Sequence, residues 1–140
     1  MIHSGSPGAS DVLVDSSVWI DFYRPSSEED VRSAVSGALA RDVVHTVALI
    51  VTEVVRGAPD EPALEVLLED FSALRTIELG FEVGAMAARI GYALRRHGRS
   101  VPATDLLIGA AAIEAGCEVW HRDAHFEAIA EVAPLNTRSF

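Results

Sequence analysis

Residues 12–22 read VLVDSSVWIDF, and this stretch decides the fold. The apolar run 12–14 predicts a short buried strand, and the mixed apolar spacing from Val18 onward predicts a helix capped by a serine. The polar residues 15–17 separate the two elements, and Asp15 is the first of them. An acid therefore stands at the carboxyl end of the predicted first strand.

The rest of the chain continues this alternation of strands and helices. Helices are predicted at 28–40, 48–56, 61–71, 81–97, 105–115 and 126–130, and strands at 43–46, 76–79, 117–120 and 134–136. Strands that alternate with helices need crossover connections, so the pattern predicts an α/β fold with three layers, α/β/α, and a central, mostly parallel sheet. Residues 1–10 are small and polar and predict a flexible leader, which leaves 11–140 as a single domain.

Composition excludes several classes of protein. The 140 residues carry a net charge of −10, and all 11 basic residues are arginine. Without lysine there is no Schiff-base enzyme and no Walker-type phosphate site, and the charge argues against a protein that coats nucleic acid. The single cysteine, Cys117, has no basic neighbour that would make it a nucleophile. The lack of an apolar run of about 20 residues or of a signal peptide predicts a cytoplasmic protein without a membrane segment.

Four acids are candidates for a shared site, because sites in parallel sheets lie beyond the carboxyl ends of the strands. Asp15 and Asp123 follow predicted strands, Asp105 opens an apolar helix, and Glu53 has apolar neighbours on nearly every side of its helix. If the fold brings them together, their repulsion requires raised pKa values or a divalent cation. Oxygen ligands without cysteine favour Mg²⁺ or Mn²⁺, the ions of metal-dependent nucleases.

Each acid taken alone also has a structural explanation. Asp15 is able to cap the following helix, and Asp105 is favoured in a first helical turn by the helix dipole. Glu53 is able to pair with Arg56 one turn later, and Asp123 lies in a polar loop. The functional interpretation therefore depends on all four acids together.

Three segments taken together resemble a known family. They are VLVDSSVWIDF, TEVVRG and ATDLLIGAAAIEAGCEVWHRDAHFEAIA. In this order and spacing they resemble the PIN-domain ribonucleases, and most closely the VapC toxins of bacterial toxin–antitoxin pairs. The resemblance extends from Val12 to the C-terminus.

The resemblance implies a site and an activity. It identifies Asp15, Glu53, Asp105 and Asp123 as the acids that hold Mg²⁺ or Mn²⁺, and Ser17 as a hydroxyl that orients the first acid or the substrate. It implies hydrolysis of RNA by a metal-activated water, leaving 5′-phosphate and 3′-hydroxyl ends. It further implies a homodimer and a VapB-like antitoxin, with a heterotetramer or larger assembly of the two.

Two histidines and a basic run have open interpretations. His121 occupies a position where many family members carry Thr or Ser. His121 and His125 flank Asp123 at a spacing that would suit a histidine metal site on a helix, but this stretch spans the exit from a strand into a loop, which argues against such a site. The basic run before the Asp105 helix predicts either a solvated helix end or contacts to substrate phosphates. Its arginines are Arg95, Arg96 and Arg99.

The remaining alternatives concern aromatic side chains and the class of protein. Trp19 and Phe22 suit core packing or a protein contact better than base stacking. A second functional hypothesis is a PIN-like module that binds protein or RNA without turnover. A haloacid-dehalogenase-type enzyme requires a second aspartate two residues after the first, and Ser17 stands there instead.

Overall fold

The computed structural model describes residues 11–140, so the predicted leader, 1–10, lies outside the described residues. Five parallel strands form one sheet in the order β3-β2-β1-β4-β5. The strands are β1 (Val12–Val14), β2 (Val44–Thr46), β3 (Arg75–Thr76), β4 (Glu118–His121) and β5 (Thr137–Ser139). The helices are α1 (Ser16–Phe22), α2 (Glu29–Ala40), α3 (Ala48–Val55), α4 (Glu61–Ser72), α5 (Phe81–Arg96), α6 (Ala103–Ala115) and α7 (Ala124–Val132). The predicted α/β class with a parallel sheet is confirmed.

The helices pack in two groups around the sheet. Helices α1 to α4 contact one another, and α5, α6 and α7 form a second set of mutual contacts. Along the chain, β2 and then β3 are added on one side of β1, and β4 and then β5 are added on the other side. Right-handed crossovers in opposite directions along a sheet put their helices on opposite faces. The strand order therefore reverses between β1 and β4, where ligand sites of such sheets lie.

The core lies along the two central strands. All three residues of β1 are buried, and so are Val119 and Trp120 of β4. Trp19 packs beneath them against the ring of Phe71, with ring centroids 5.0 Å apart. Because β1 is buried on both faces, its carboxyl end is a fixed point from which Asp15 projects.

Several predicted boundaries were wrong by a few residues. The strand predicted at 76–79 is Arg75–Thr76, because after Ile77 donates to Thr46 the chain turns away toward α5. The strand predicted at 134–136 is Thr137–Ser139, since residues 133–135 form a turn after α7. The helix predicted at 105–115 begins two residues earlier, at Ala103.

Two further observations concern the single cysteine and the question of membrane-spanning helices. Burial raises the pKa of the Cys117 thiol to about 12, and the acid Asp11 adds to the effect, so this cysteine is a core residue. Among residues 11–140, no helix combines the length and the apolar character needed to cross a membrane.

Candidate active site

Asp15 occupies the carboxyl end of β1 and begins helix α1. Its side chain is buried, with 4% exposed, and Oδ2 accepts the N–H of Ser17 at 3.2 Å and the Ser17 hydroxyl at 2.6 Å. The sequence predicted a serine cap for α1, but the capping residue is Asp15. Burial raises the pKa of Asp15, hydrogen bonds from Ser17 and Ser16 oppose that rise, and the charge of Glu53 adds to it.

Ser17 connects this acid to the neighbouring strand. Its Oγ donates to Asp15 and accepts the N–H of Arg122, at 3.1 Å, just beyond the end of β4. The backbone N–H of Asp15 also donates to Trp120 of β4 at 2.9 Å. The carboxyl ends of β1 and β4 are therefore held together by both backbone and side-chain contacts.

Asp105 reaches the same place from the first turn of α6. Its carboxylate is half-buried, and its Oδ2 lies 2.8 Å from Nδ1 of His125. Burial raises the pKa of Asp105, the hydrogen bond with His125 lowers it, and the charges of Asp123 and Asp15 raise it again. Asp105 and Asp123 therefore meet at His125, and both Asp123 and Asp15 lie near enough for their charges to act on Asp105.

Asp123 caps α7 through its side chain, and its backbone is held by a buried histidine. Its Oδ1 accepts the N–H of His125 at 2.9 Å, and its own N–H donates to Nδ1 of His121 at 3.0 Å. Since Nδ1 of His121 is an acceptor, the proton of this ring lies on Nε2, which donates to Glu127 at 2.8 Å. Glu127 also accepts the hydroxyl of Thr137 from β5, and these bonds lower its pKa.

Glu53 borders the site from helix α3. Its Oε1 accepts the hydroxyl of Ser16 at 2.8 Å, and its charge is felt at Asp15. The apolar sequence around Glu53 suggested a carboxylate that would be costly to bury, but the side chain is exposed, and the buried positions of α3 are Ile50, Val54 and Val55. The fourth acid is therefore linked to the others through Ser16 and through its charge effect on Asp15.

The tightest group of possible metal ligands contains a histidine. Within residues 11–140, Asp105, Asp123 and His125 each offer a ligand atom, and these atoms all lie within 4.8 Å of one another. His121 does not join this group, because it is buried and both its nitrogens are engaged inside the protein, in line with the sequence argument against a pair of His121 with His125. A carboxylate cluster with an imidazole at its edge has the donor set that a divalent cation requires.

The basic run lies along an open cleft between α5 and α6. The cleft has a volume of about 940 Å³, and its walls include Arg95 at the end of α5 and Leu106, the neighbour of Asp105 in α6. Arg99 is paired with Glu131, and Arg96 lies 5.8 Å from the ring centre of Tyr92. The three arginines therefore face a groove whose far wall is the helix that carries Asp105.

Trp19 does not take part in the site. Its side chain is only 2% exposed and packs in the core, which excludes base stacking by this residue without unfolding.

Arg122, which belongs to the third of the family-like segments, lies beside Ser17 and pairs with Asp21 at 3.3 Å and Glu28 at 3.4 Å.

The fold and the acids at its switch point define the class of protein. The profile of the PIN domain matches residues 12–132, and the chain belongs to this family. Among its relatives is ribonuclease VapC11 of Mycobacterium tuberculosis, 31% identical over 92% of this chain and 98% of the relative. Similar structures include FitAcB from Neisseria gonorrhoeae, with a TM-score of 0.71 and 23% identity over 90% of this chain and 95% of the other. VapBC-5 from Mycobacterium tuberculosis, a member of the VapBC family of toxin–antitoxin systems, has a TM-score of 0.70 and 23% identity over 94% and 99% of the two chains.

Proposed function

We propose that this PIN domain is a metal-dependent endoribonuclease of the VapC type, the toxin of a toxin–antitoxin pair. The observation that carries the proposal is the placement of the acids near the switch point between β1 and β4. Asp15 and Asp123 follow these two paired strands, and Asp105 lies beside Asp123 through His125. Glu53 is linked to this edge of the sheet through the hydroxyl of Ser16. The 31% identity to a VapC ribonuclease over nearly its whole length supports the same activity. One domain, 11–140, contains every residue that the proposal needs.

The donor set fits Mg²⁺ or Mn²⁺. The carboxylates of Asp15, Asp105 and Asp123 would hold the ion, and Glu53 would contribute from the solvent side. Burial and mutual repulsion raise the pKa values of Asp15 and Asp105, and a bound divalent cation would stabilise the charged carboxylates. When bound, such an ion neutralises charge on the phosphate and makes water nucleophilic near neutral pH.

The chain's own residues position the acids and the substrate. Ser17 fixes the Asp15 carboxylate, and the His121 ring fixes the backbone of Asp123. Arg95 and Arg96, with Arg99 behind them, would contact phosphates of the RNA along the cleft, because guanidinium groups there offset the repulsion between a polyanion and a protein of net charge −10. The substrate would therefore enter from the α5 side.

An antitoxin partner is consistent with the surface next to Glu53. A groove of about 700 Å³ between α1, α3 and α4 is lined mainly by apolar groups, including Ile20 and Val66, which are 41% and 57% exposed. Glu53 forms part of its wall. A partner with apolar side chains and an arginine would cover this groove and reach the acids at the same time.

A homodimer is supported by helix α5. Phe81 and Tyr92 are 85% and 66% exposed, and a spacing of 11 residues puts both on the same face of a helix. Such exposed aromatic side chains are typical of protein interfaces. We propose that this face meets a second copy, and because Tyr92 also lines the cleft of Arg95 and Arg96, the second copy would form the border of that cleft.

The decisive experiment compares RNA ends. Total RNA is sequenced after induction of the wild type and of the Asp15→Asn variant, and new 5′-phosphate ends should be found with the wild type alone. A purified wild type that cuts RNA equally well in excess chelator would contradict the metal mechanism. A silent binding module, the second hypothesis, would give no new ends from either protein while still retaining RNA or a partner in pull-down.

A further inference from the structure

His125 is the second residue of α7 and lies between two of the acids. Its Nδ1 is 2.8 Å from Oδ2 of Asp105 and 3.1 Å from Oδ1 of Asp123. The side chain is 40% exposed, so an ion in solution can reach it without any rearrangement of the core. Three ligand atoms from two helices therefore meet at one point of the surface.

The spacing of these atoms matches the coordination shell of a small divalent ion. Neighbouring ligands about 2.1 Å from an ion in octahedral geometry are separated by about 3.0 Å, and opposite ligands by about 4.2 Å. The two contacts of His125 Nδ1, at 2.8 and 3.1 Å, are close to the first value. One ion would replace the shared hydrogen bond without large movement of the side chains.

The two histidines near Asp123 differ in what they leave available. Both nitrogens of His121 are used by the protein itself, Nδ1 by Asp123 and Nε2 by Glu127. The ring of His125, by contrast, makes its described polar contacts only with the two carboxylates that would hold the ion. His125 is the histidine that can bind metal.

We propose that Nδ1 of His125 is a ligand of the divalent ion at this site, which makes it a mixed carboxylate and imidazole site. This inference rests on the metal site of the proposed function and specifies its selectivity. Imidazole is a softer ligand than carboxylate and contributes little to Mg²⁺, whereas transition metals accept it readily. The site therefore favours Mn²⁺ over Mg²⁺ more strongly than a site of carboxylates alone.

The test measures the ion directly, with Mn²⁺ as the probe. Pulsed EPR of the Mn²⁺-loaded wild type should show the ¹⁴N modulation of a coordinated imidazole, and His125→Asn should lose it. Asn keeps a donor for the Asp105 carboxylate but offers no ring nitrogen. The matched control is His97→Asn, because His97 is exposed at the end of α5 and bonds to the carbonyl of Ala93. This control should keep the modulation.

Titration calorimetry supplies the second readout. We expect His125→Asn to weaken Mn²⁺ binding at least about tenfold and Mg²⁺ binding much less, so that Mn²⁺ loses much of its advantage over Mg²⁺. An unchanged ratio of the two dissociation constants, or ¹⁴N modulation that persists in His125→Asn, would overturn the proposal. If the variants fail to fold, as judged by circular dichroism, the wild-type spectrum still decides, since no imidazole signal in it also overturns the proposal.

The outcome is separable from that of the proposed function. RNA cleavage by a wild type without an imidazole signal would refute the role of His125 and leave the nuclease intact. An imidazole signal in a wild type that cuts no RNA would support the role of His125 as ligand and refute the nuclease.

Discussion

Ser17 and Asp15 are joined by two hydrogen bonds to the same carboxylate oxygen, one from the Ser17 hydroxyl at 2.6 Å and one from its N–H at 3.2 Å. The hydroxyl also accepts the N–H of Arg122 across the gap between β1 and β4. Replacement by alanine removes one hydrogen bond to the acid and the side-chain link between these two strand ends. The backbone bond to Asp15 remains.

Ser17→Ala should therefore impair the site more than the fold. We expect a loss of about 1 kcal/mol in the free energy of unfolding and a fall of roughly 10–100-fold in Mn²⁺ affinity or cleavage rate. Calorimetry and a labelled-RNA assay measure these effects. Ser33→Ala is the matched control, because Ser33 bonds to Glu29 on the exposed face of α2. Equal effects of both variants would contradict the role of Ser17.

Mn²⁺ should stabilise the protein through the acidic cluster. An ion at ten times its dissociation constant adds about 1.4 kcal/mol to the folded state, which corresponds to a rise in Tm of roughly 3–6 °C for a domain of this size. Asp105→Asn should abolish this rise. The control is Asp42→Asn, since Asp42 pairs with Arg75 at the surface and asparagine tolerates its positive φ of 59°. A full rise in Asp105→Asn would exclude the site.

The raised pKa values predict a pH dependence of the metal-free protein. Folding raises the pKa of Asp15 and Asp105 above the ordinary value of 3.8. Each of these carboxyls contributes its full stabilisation when the pH is below 3.8, and the contribution is lost as the pH rises through the raised pKa. The Asp105→Asn variant has no carboxyl at this position and so does not lose this stability as the pH rises. With EDTA present, its free energy of unfolding relative to wild type should increase as pH rises from about 3.8.

Glu127→Gln should behave in the opposite way and serves as the control for pH. Hydrogen bonds from Thr137 and His121 lower the pKa of Glu127, so its contribution is present above the ordinary value and is lost as pH falls. The advantage of the wild type over Glu127→Gln should shrink on acidification. Chemical denaturation at a series of pH values tests both variants, and identical profiles would refute the two assignments.

The arginines of the cleft should act on substrate binding and not on the chemical step. The double variant Arg95→Gln with Arg96→Gln should raise KM and leave kcat nearly unchanged. The slope of the logarithm of the RNA-binding constant against the logarithm of salt concentration should become shallower by about 0.7 for each phosphate that the variant no longer neutralises. Arg41→Gln is the control, since Arg41 is exposed at the end of α2. A fall in kcat at unchanged KM would argue against binding of phosphates by these side chains.

The face of α5 should hold the dimer together. Phe81→Glu with Tyr92→Glu places two charges where large aromatic groups are exposed, and we expect a shift from dimer to monomer in light scattering. Because neither side chain is buried, circular dichroism should be unchanged. Val66→Glu, an exposed change on α4, should leave the dimer intact. A wild type that is monomeric at all concentrations would contradict the proposal.

The placement of two acids, Asp15 and Asp123, was predictable from local sequence. Asp15 and Asp123 follow strands, and the carboxyl ends of parallel neighbours meet at one edge of a sheet, so their proximity follows once β1 pairs with β4. Asp105 opens an apolar helix, but its approach to the others depends on how α6 packs. The structure shows that approach in Nδ1 of His125, which lies 2.8 Å from Asp105 and 3.1 Å from Asp123.

Other features depend on tertiary contacts that no local pattern encodes. The exposure of Glu53 follows from which face of α3 meets the core, since apolar residues surround this acid in the sequence. The split between His121 and His125 arises because β4 ends between them, which leaves one ring inside and the other at the surface. The sequence predicts that a strand ends in this stretch and so argues against a histidine pair, but it does not show that His125 faces Asp105.

The support beneath Asp123 extends to the end of the chain. Thr137 bonds to Glu127, Glu127 holds His121, and the N–H of Phe140 donates to the carbonyl of His121. A protein trimmed of residues 137–140 would keep every proposed ligand and still lose the brace behind one of them. Truncations or insertions within residues 137–140 are therefore not neutral choices for the biochemist, and a weakly active preparation should first be checked for the integrity of this segment.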